Sequence, residues 1–215
     1  MSSTTLQHRR LAANETTLPA DAIPRGARGT ILVAALRLYA EHGYGGTSVR
    51  DIAKEAGVQP ATLYAHYPSK EHVLAELTRI GHEAHHQLMR VALLETSADP
   101  RDQLAALMRA HVQMHAEFPM LAVVANAELH ALSPEAAAPA LELRKQSEQL
   151  LTDVILRGVH KGVFKVQEPR LALAAIGAMG IRVSHWYTPD FDLGVDEVAR
   201  HYAEFALRIV GAGSE

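Results

Sequence analysis

Apolar residues in this chain recur three and four positions apart almost throughout, and runs that alternate every second residue are nearly absent. That periodicity predicts an all-α protein. The first helix should span residues 25 to 42, with Ile31, Ala35, Leu38 and Tyr39 inward, Gly43 closing it, and the loop Tyr44-Gly45-Gly46 beyond. In the next segment Thr47 is placed to N-cap a helix whose buried face is Val49, Ile52, Ala53 and Ala56. Gly57 falls where a left-handed residue ends that helix, Val58 can plug the angle after it, and Pro60 suits the first turn of a short helix over 60–66. A long helix should begin after Ser69 as its N-cap and continue to residue 95, since no proline or strong stop intervenes. Beyond it Pro100, Pro119, Ser133-Pro134, Gly162, Pro169 and Pro189 punctuate the chain into helices at 101–117, 119–131, 134–161, 169–187 and 195–210. Pro139, inside the Ala-rich run 136–140, is expected to kink a first helical turn rather than to mark a linker.

Two short helices across a tight turn form the pattern of a DNA-binding helix-turn-helix. In the second of them Leu63 faces the core, while Ala61, Thr62, Tyr64 and His66 point outward, as a helix lying in a major groove requires. Gln59 and Thr62 suit base reading by hydrogen bonds, and a methyl of Ala61 or Thr62 can meet a thymine methyl. Tyr64, Tyr67 and Lys70 suit phosphate contacts, Lys70 being next to the free N–H groups of a helix start. Thr47, Arg50 and Pro60 complete the expected DNA-facing set. Thr47, Ile52-Ala53, Ala56-Gly57-Val58, Leu63-Tyr64, Tyr67 and Lys70 resemble the motif T-x4-IA-x2-AGV-x4-LY-x2-F/Y-x2-K of the TetR family of bacterial transcriptional repressors, over roughly residues 25 to 75. Gln59 departs from the usual Ser of that family, which weakens the cap of the second helix but offers an amide to a base.

Charge adds a modest asymmetry. The 215 residues carry a formal net charge of −3, yet residues 1–80 hold 9 Lys/Arg against 7 Asp/Glu, net +2, and the remainder 12 against 17, net −5. A basic head can supply the salt-dependent attraction to phosphates while an acidic body avoids DNA. The absence of cysteine removes disulfides and thiolate ligands and agrees with a reducing cytoplasm. No secretory signal is visible, and apolar tracts such as 171–180 are too short to span a bilayer, so a cytoplasmic protein without a membrane partner is expected. Three regions follow: a polar, unperiodic arm over 1–23 containing Arg9 and Arg10, a helix-turn-helix domain over 24–70, and an effector-binding and dimerisation domain over 71–215.

The competing chemical reading is HEAHH at 82–86, which matches H-E-x-x-H with His82 and His86 as zinc ligands and Glu83 as general base of a hydrolase. His111 and His115 repeat the same spacing. A hydrolase also needs a third ligand and usually a substrate-binding edge strand, and no strand is predicted, so no catalytic residue, metal ligand or cofactor is assigned. A helical ligand carrier without a DNA role is the other alternative. Ligand pockets between helices are apolar with few polar groups, and Met89, Leu93, Leu107, Met108, His111, Met114, Phe118, Val123, Leu129, Ile155 and Trp186 are candidates for such a lining, each serving equally well as plain core.

The segment 171–180, LALAAIGAMG, is small and apolar around most of its circumference, with Gly177 and Gly180 able to admit a close neighbouring helix. Burial of this helix, with Val198, Tyr202, Phe205, Leu207 and Ile209 of the last one, against a second copy would make a homodimer suited to a palindromic double-stranded operator. Gly158, Gly162-Val163-Phe164, Ala175-Ile176, Gly180, His185-Trp186-Tyr187, Pro189-Asp190, Tyr202-Ala203 and Ala206-Leu207-Arg208 are similar to one TetR subgroup, over residues 150 to 210. That resemblance implies repression of lipid or sterol catabolism genes and release by a hydrophobic effector, an acyl-CoA thioester, whose phosphates Arg144, Lys145, Arg157 and Lys161 could meet.

Overall fold

The computed structural model describes residues 17–212. Most of the arm expected over 1–23, Arg9 and Arg10 included, lies outside the described residues. Among these residues the regular structure is helical: α1 (Ala27–His42), α2 (Val49–Glu55), α3 (Pro60–His66), α4 (Lys70–Leu94), α5 (Pro100–Glu117), α6 (Pro119–Ala127), α7 (Pro134–His160), α8 (Pro169–Ile181) and α9 (Val195–Ile209). The all-α expectation holds.

Several helix ends differ from expectation for local reasons. Ser48, not Thr47, caps α2: its hydroxyl accepts from the Asp51 N–H at 3.2 Å while the Asp51 carboxylate accepts from the Ser48 N–H at 2.9 Å. α6 stops at Ala127 because Glu128 leaves helical geometry, at φ −97° and ψ 1°, and a 3-10 turn over Leu129–Ala131 follows. α8 stops at Ile181, where Arg182, at ψ −18°, passes into a 3-10 turn over Arg182–His185. α7 runs through Pro139, which as its sixth residue forfeits the bond its missing N–H would have made to the fourth residue before it.

The chain divides into two compact units. The first comprises Met1–Glu83, Phe118–Glu142 and Ser184–Thr188. Its core is built from Ile31, Leu32, Leu36 and Tyr39 of α1, Ile52 of α2, Leu63 of α3, and Leu74, Leu77 and Ile80 of α4, all essentially inaccessible to solvent. Each such side chain contributes about 1.5–3 kcal/mol through burial. α1 packs on α2, α3 and α6. Gly81 lets α4 pass close to α6, since a Cβ there would lie 3.0 Å from that of Ala125. The Ser133 N–H, at the start of α7, donates to the Glu71 carboxylate at 2.8 Å.

The second unit comprises Ala84–Glu117, Leu143–Val183 and Pro189–Glu215. Here α5 packs along α9 and against α8. Leu104, Leu107, Met108, Val112, Val154, Ile155, Ile176, Val198 and Ala203 are among its buried residues. At its surface the Gln113 amide donates to Asp196 at 2.9 Å.

Candidate nucleic-acid interface

The turn between α2 and α3 is held by backbone geometry. Gly57 has φ 66°, the Val58 N–H donates to the Ala53 carbonyl at 2.9 Å, and the Gly57 N–H donates to the Lys54 carbonyl at 3.2 Å. These paired bonds close α2 and redirect the chain. Gln59 begins α3 through its carbonyl, which accepts from Thr62 N–H and Leu63 N–H, and its side chain makes no capping bond. The missing cap expected from Gln59 in place of Ser is therefore observed, and the amide stays exposed.

On α3 only Leu63 is buried. Pro60, Ala61, Tyr64 and His66 are exposed, Thr62 is half-buried, and Arg50 of α2 is exposed as well. Tyr64 retains 54% of its surface, an unusual state for an aromatic ring in a folded domain. Beside it an open groove of about 610 Å³ is lined by residues of the 45–51 loop and helix start together with Tyr64, Pro68, Ser69 and Lys70. Ser69 accepts from the His72 N–H, capping α4 at this groove.

Three residues expected at DNA are placed differently. Thr47 is 1% exposed, and its hydroxyl is within bonding distance of the Gly43 carbonyl at 2.9 Å and the Leu38 carbonyl at 3.3 Å. Its side chain holds the α1–α2 loop. Tyr67 is 3% exposed; its hydroxyl accepts from Arg28 Nε at 3.3 Å and lies 3.4 Å from the Arg28 carbonyl. Burial pushes the Tyr67 phenol up and the Arg28 guanidinium opposes that shift. The Lys70 ammonium donates to the carbonyls of Tyr44, at 2.9 Å, and Thr47, at 3.0 Å, and sits 4.0 Å from the centre of the Tyr44 ring. It closes the loop before α2 onto the start of α4. Nothing in the sequence marks Arg28 and Tyr44 as partners, because they lie 39 and 26 residues away from Tyr67 and Lys70.

The candidate effector residues fall in both units. Phe118, Leu129 and Trp186 are half-buried and Val123 is buried in the first; in the second, Met89, Leu107, Met108, His111, Met114 and Ile155 are buried and Leu93 is half-buried. Arg144 pairs with Glu148 at 3.1 Å, Arg157 donates to the Gln103 amide oxygen, and Lys145 and Lys161 are exposed. On the dimer candidates, Gly180 admits a close neighbour from within the chain: a Cβ there would run into the His111 ring. Val198 is likewise buried inside the unit, whereas Leu171, Phe205 and Ile209 are exposed.

Two family models match the chain. That of bacterial regulatory proteins of the tetR family covers residues 31–77, and that of the tetracyclin repressor-like C-terminal domain covers residues 97–210. The chain belongs to the TetR family. A tetR-family regulatory protein of known structure from Rhodococcus RHA1 is 32% identical, with 89% of this chain and 100% of that one covered at a TM-score of 0.82. The transcriptional repressor KstR2 of Mycobacterium tuberculosis is 28% identical over 84% of this chain and 90% of its own length. Its structure, described as that of a ketosteroid transcriptional regulator, superposes with a TM-score of 0.79. The fatty acid metabolism regulator protein of Bacillus subtilis is 29% identical over 74% of this chain and 83% of its own.

As a TetR-family transcriptional repressor, the chain stands among regulators rather than enzymes. Glu83, the would-be base, is in an ion pair with Arg79, His86 Nδ1 lies 3.2 Å from the Ser147 hydroxyl, and His82 is buried. No described helix is long and apolar enough to cross a membrane.

Proposed function

We propose that this repressor binds a palindromic operator as a cytoplasmic homodimer and is released by a hydrophobic effector, an acyl-CoA from lipid or sterol catabolism. In this reading residues 24–70 are the DNA-binding head and 71–215 the effector-binding and dimerisation body. The observation that carries the DNA contact is the outer face of α3, where Gln59, Pro60, Ala61, Tyr64 and His66 are exposed around a single buried anchor, Leu63. Thr62 and Arg50 extend that face, and the capped start of α4 offers backbone N–H groups to a phosphate.

Dimerisation is supported by apolar surface on two helices that pack on each other. Leu171 on α8 is 70% exposed and Ala174, Ala175 and Ala178 share its face, while Phe205 and Ile209 are exposed on α9. Exposed apolar surface of that extent suits an isologous contact. The effector class is supported by KstR2 and the Bacillus regulator, whose names tie them to ketosteroid and fatty acid metabolism. Within the second unit an acyl chain would need apolar walls such as Met89, Leu93, Met108 and Met114, and its phosphates a cation such as Arg144 or Arg157. An effector that binds better to a form unable to hold the operator lowers the affinity for DNA. The change in operator affinity is limited to the effector's differential affinity for the two states.

Fluorescence anisotropy on duplex DNA from upstream of the gene, across a salt series and with a panel of acyl-CoAs, tests this. Sequence-selective binding that weakens with salt and is relieved by one thioester is the expected result. Selective binding indifferent to the whole panel would remove the effector class, and absence of selective binding would remove the operator reading.

A further inference from the structure

Two helices of the second unit bring three imidazoles together. One ring nitrogen from each of His85 on α4 and His111 and His115 on α5 lies within 4.8 Å of the other two. The rings meet edge to face, with centroids 4.6 Å apart for His111 and His115, 4.9 Å for His85 and His111, and 5.6 Å for His85 and His115. His111 and His115 are buried and His85 is half-buried.

Backbone carbonyls decide where the two buried rings carry their hydrogens. His111 Nε2 is 3.0 Å from the Gly177 carbonyl, and His115 Nδ1 is 2.7 Å from the His111 carbonyl. A carbonyl only accepts, so Nε2 of His111 and Nδ1 of His115 are the N–H donors. In the neutral rings, the lone pairs then sit on His111 Nδ1 and His115 Nε2. His111 Nδ1 faces His85 Nε2 at 2.7 Å. Burial favours the neutral form of His111. A ring whose far nitrogen is held by a carbonyl has the outer-shell arrangement of a metal-ligating histidine. Gly180 contributes by leaving room for the His111 ring against α8.

We propose that His85, His111 and His115 form a binding site for one divalent transition ion of the zinc, cobalt or nickel class, with a remaining position open to water. Three imidazoles in a chain without cysteine suit such borderline ions, rather than Cu(I), which prefers sulfur, or magnesium and calcium, which prefer oxygen. Zinc–nitrogen bonds of about 2.0–2.1 Å place tetrahedral donors about 3.3 Å apart. The 2.7 Å contact between His85 and His111 therefore widens on binding, wider separations close, and the His85 proton moves from Nε2 to Nδ1. The spacing of His111 and His115 supplies two ligands from one helix, and His85 supplies the third in place of either His82 or His86. The site is independent of the effector reading and assigns His111 to an ion rather than to an effector wall.

The test uses the untagged full chain, freed of metal by chelation and titrated with Co²⁺. One cobalt per chain, with the visible absorption of four- or five-coordinate Co(II) and displacement by Zn²⁺, is expected. His85→Gln and His115→Gln should each weaken binding by at least about tenfold, while His86→Gln, on the same helix but bonded to Ser147, should bind as the parent does. Circular dichroism verifies that the variants are folded, and His85, being half-buried, provides the milder substitution if His115→Gln unfolds. Failure to bind stoichiometric cobalt, or binding that survives His85→Gln or depends instead on His86, would overturn the site.

Discussion

The exposed Asp51 carboxylate closes the start of α2, and the half-buried Glu71 carboxylate ties the start of α4 to that of α7. The Ser48 hydroxyl and N–H hold Asp51 below its ordinary range, and the Ser133 backbone N–H leads the same shift at Glu71. Both groups release their protons more readily folded than unfolded. The stability they contribute is therefore complete above the unfolded carboxylate range, near pH 4–4.5, and is lost as pH falls through the lower folded values. Urea-unfolding midpoints measured from pH 7 down to pH 3 should fall below about pH 4.5. Glu71→Gln should flatten part of that dependence; an unchanged profile in the variant would show that the Ser133 contact contributes nothing to it.

At the scale of the helix, α3 and its flanks separate residues that face outward from residues that hold the head together. Tyr64→Ala removes an exposed ring and should leave helicity and the unfolding midpoint nearly unchanged, while lowering operator affinity by roughly tenfold, the equivalent of about 1.4 kcal/mol. Tyr67→Phe removes the buried hydroxyl that bonds Arg28 and should instead cost about 1 kcal/mol of stability with no change in the salt dependence of DNA binding. Thermal melts and salt-series anisotropy on the same two proteins distinguish these outcomes. A loss of affinity in Tyr67→Phe at full stability would return Tyr67 to the DNA-facing set.

For the whole molecule, the apolar surface of α8 and α9 needs a partner. Leu171→Glu or Phe205→Glu places a carboxylate in the middle of the proposed contact, where its desolvation opposes association. Sedimentation velocity should show a dimer for the parent and a folded monomer for either variant. Because a palindrome is read by two recognition helices at once, operator affinity should fall steeply with the loss of the dimer, by about a hundredfold or more. A variant that stays dimeric would move the interface to another face.

Local chemistry alone determined much of this protein. Helical periodicity set the class, Gly57 ended α2 and Pro60 began α3, and Leu63 against exposed Tyr64 was readable from three- and four-residue spacing, because all depend on neighbours within one turn. Where adjacent residues offered the same chemistry, tertiary structure chose. Thr47 and Ser48 can both cap a helix, and the cap went to Ser48 because the Leu38 carbonyl of α1 and the carbonyl of Gly43 just beyond it face the Thr47 hydroxyl. Tyr67 and Lys70 were drawn inward by Arg28 and by the Tyr44–Thr47 loop, partners that leave no periodic trace in the chain. Histidine pairs four residues apart were visible on α4 and α5, but only the packing of α4, α5 and α8 could select His85 as the third imidazole and set the Gly177 carbonyl against His111. Sequence spacing orders residues along one helix; which helices meet, and at which turn, is decided by the burial of all their apolar faces together.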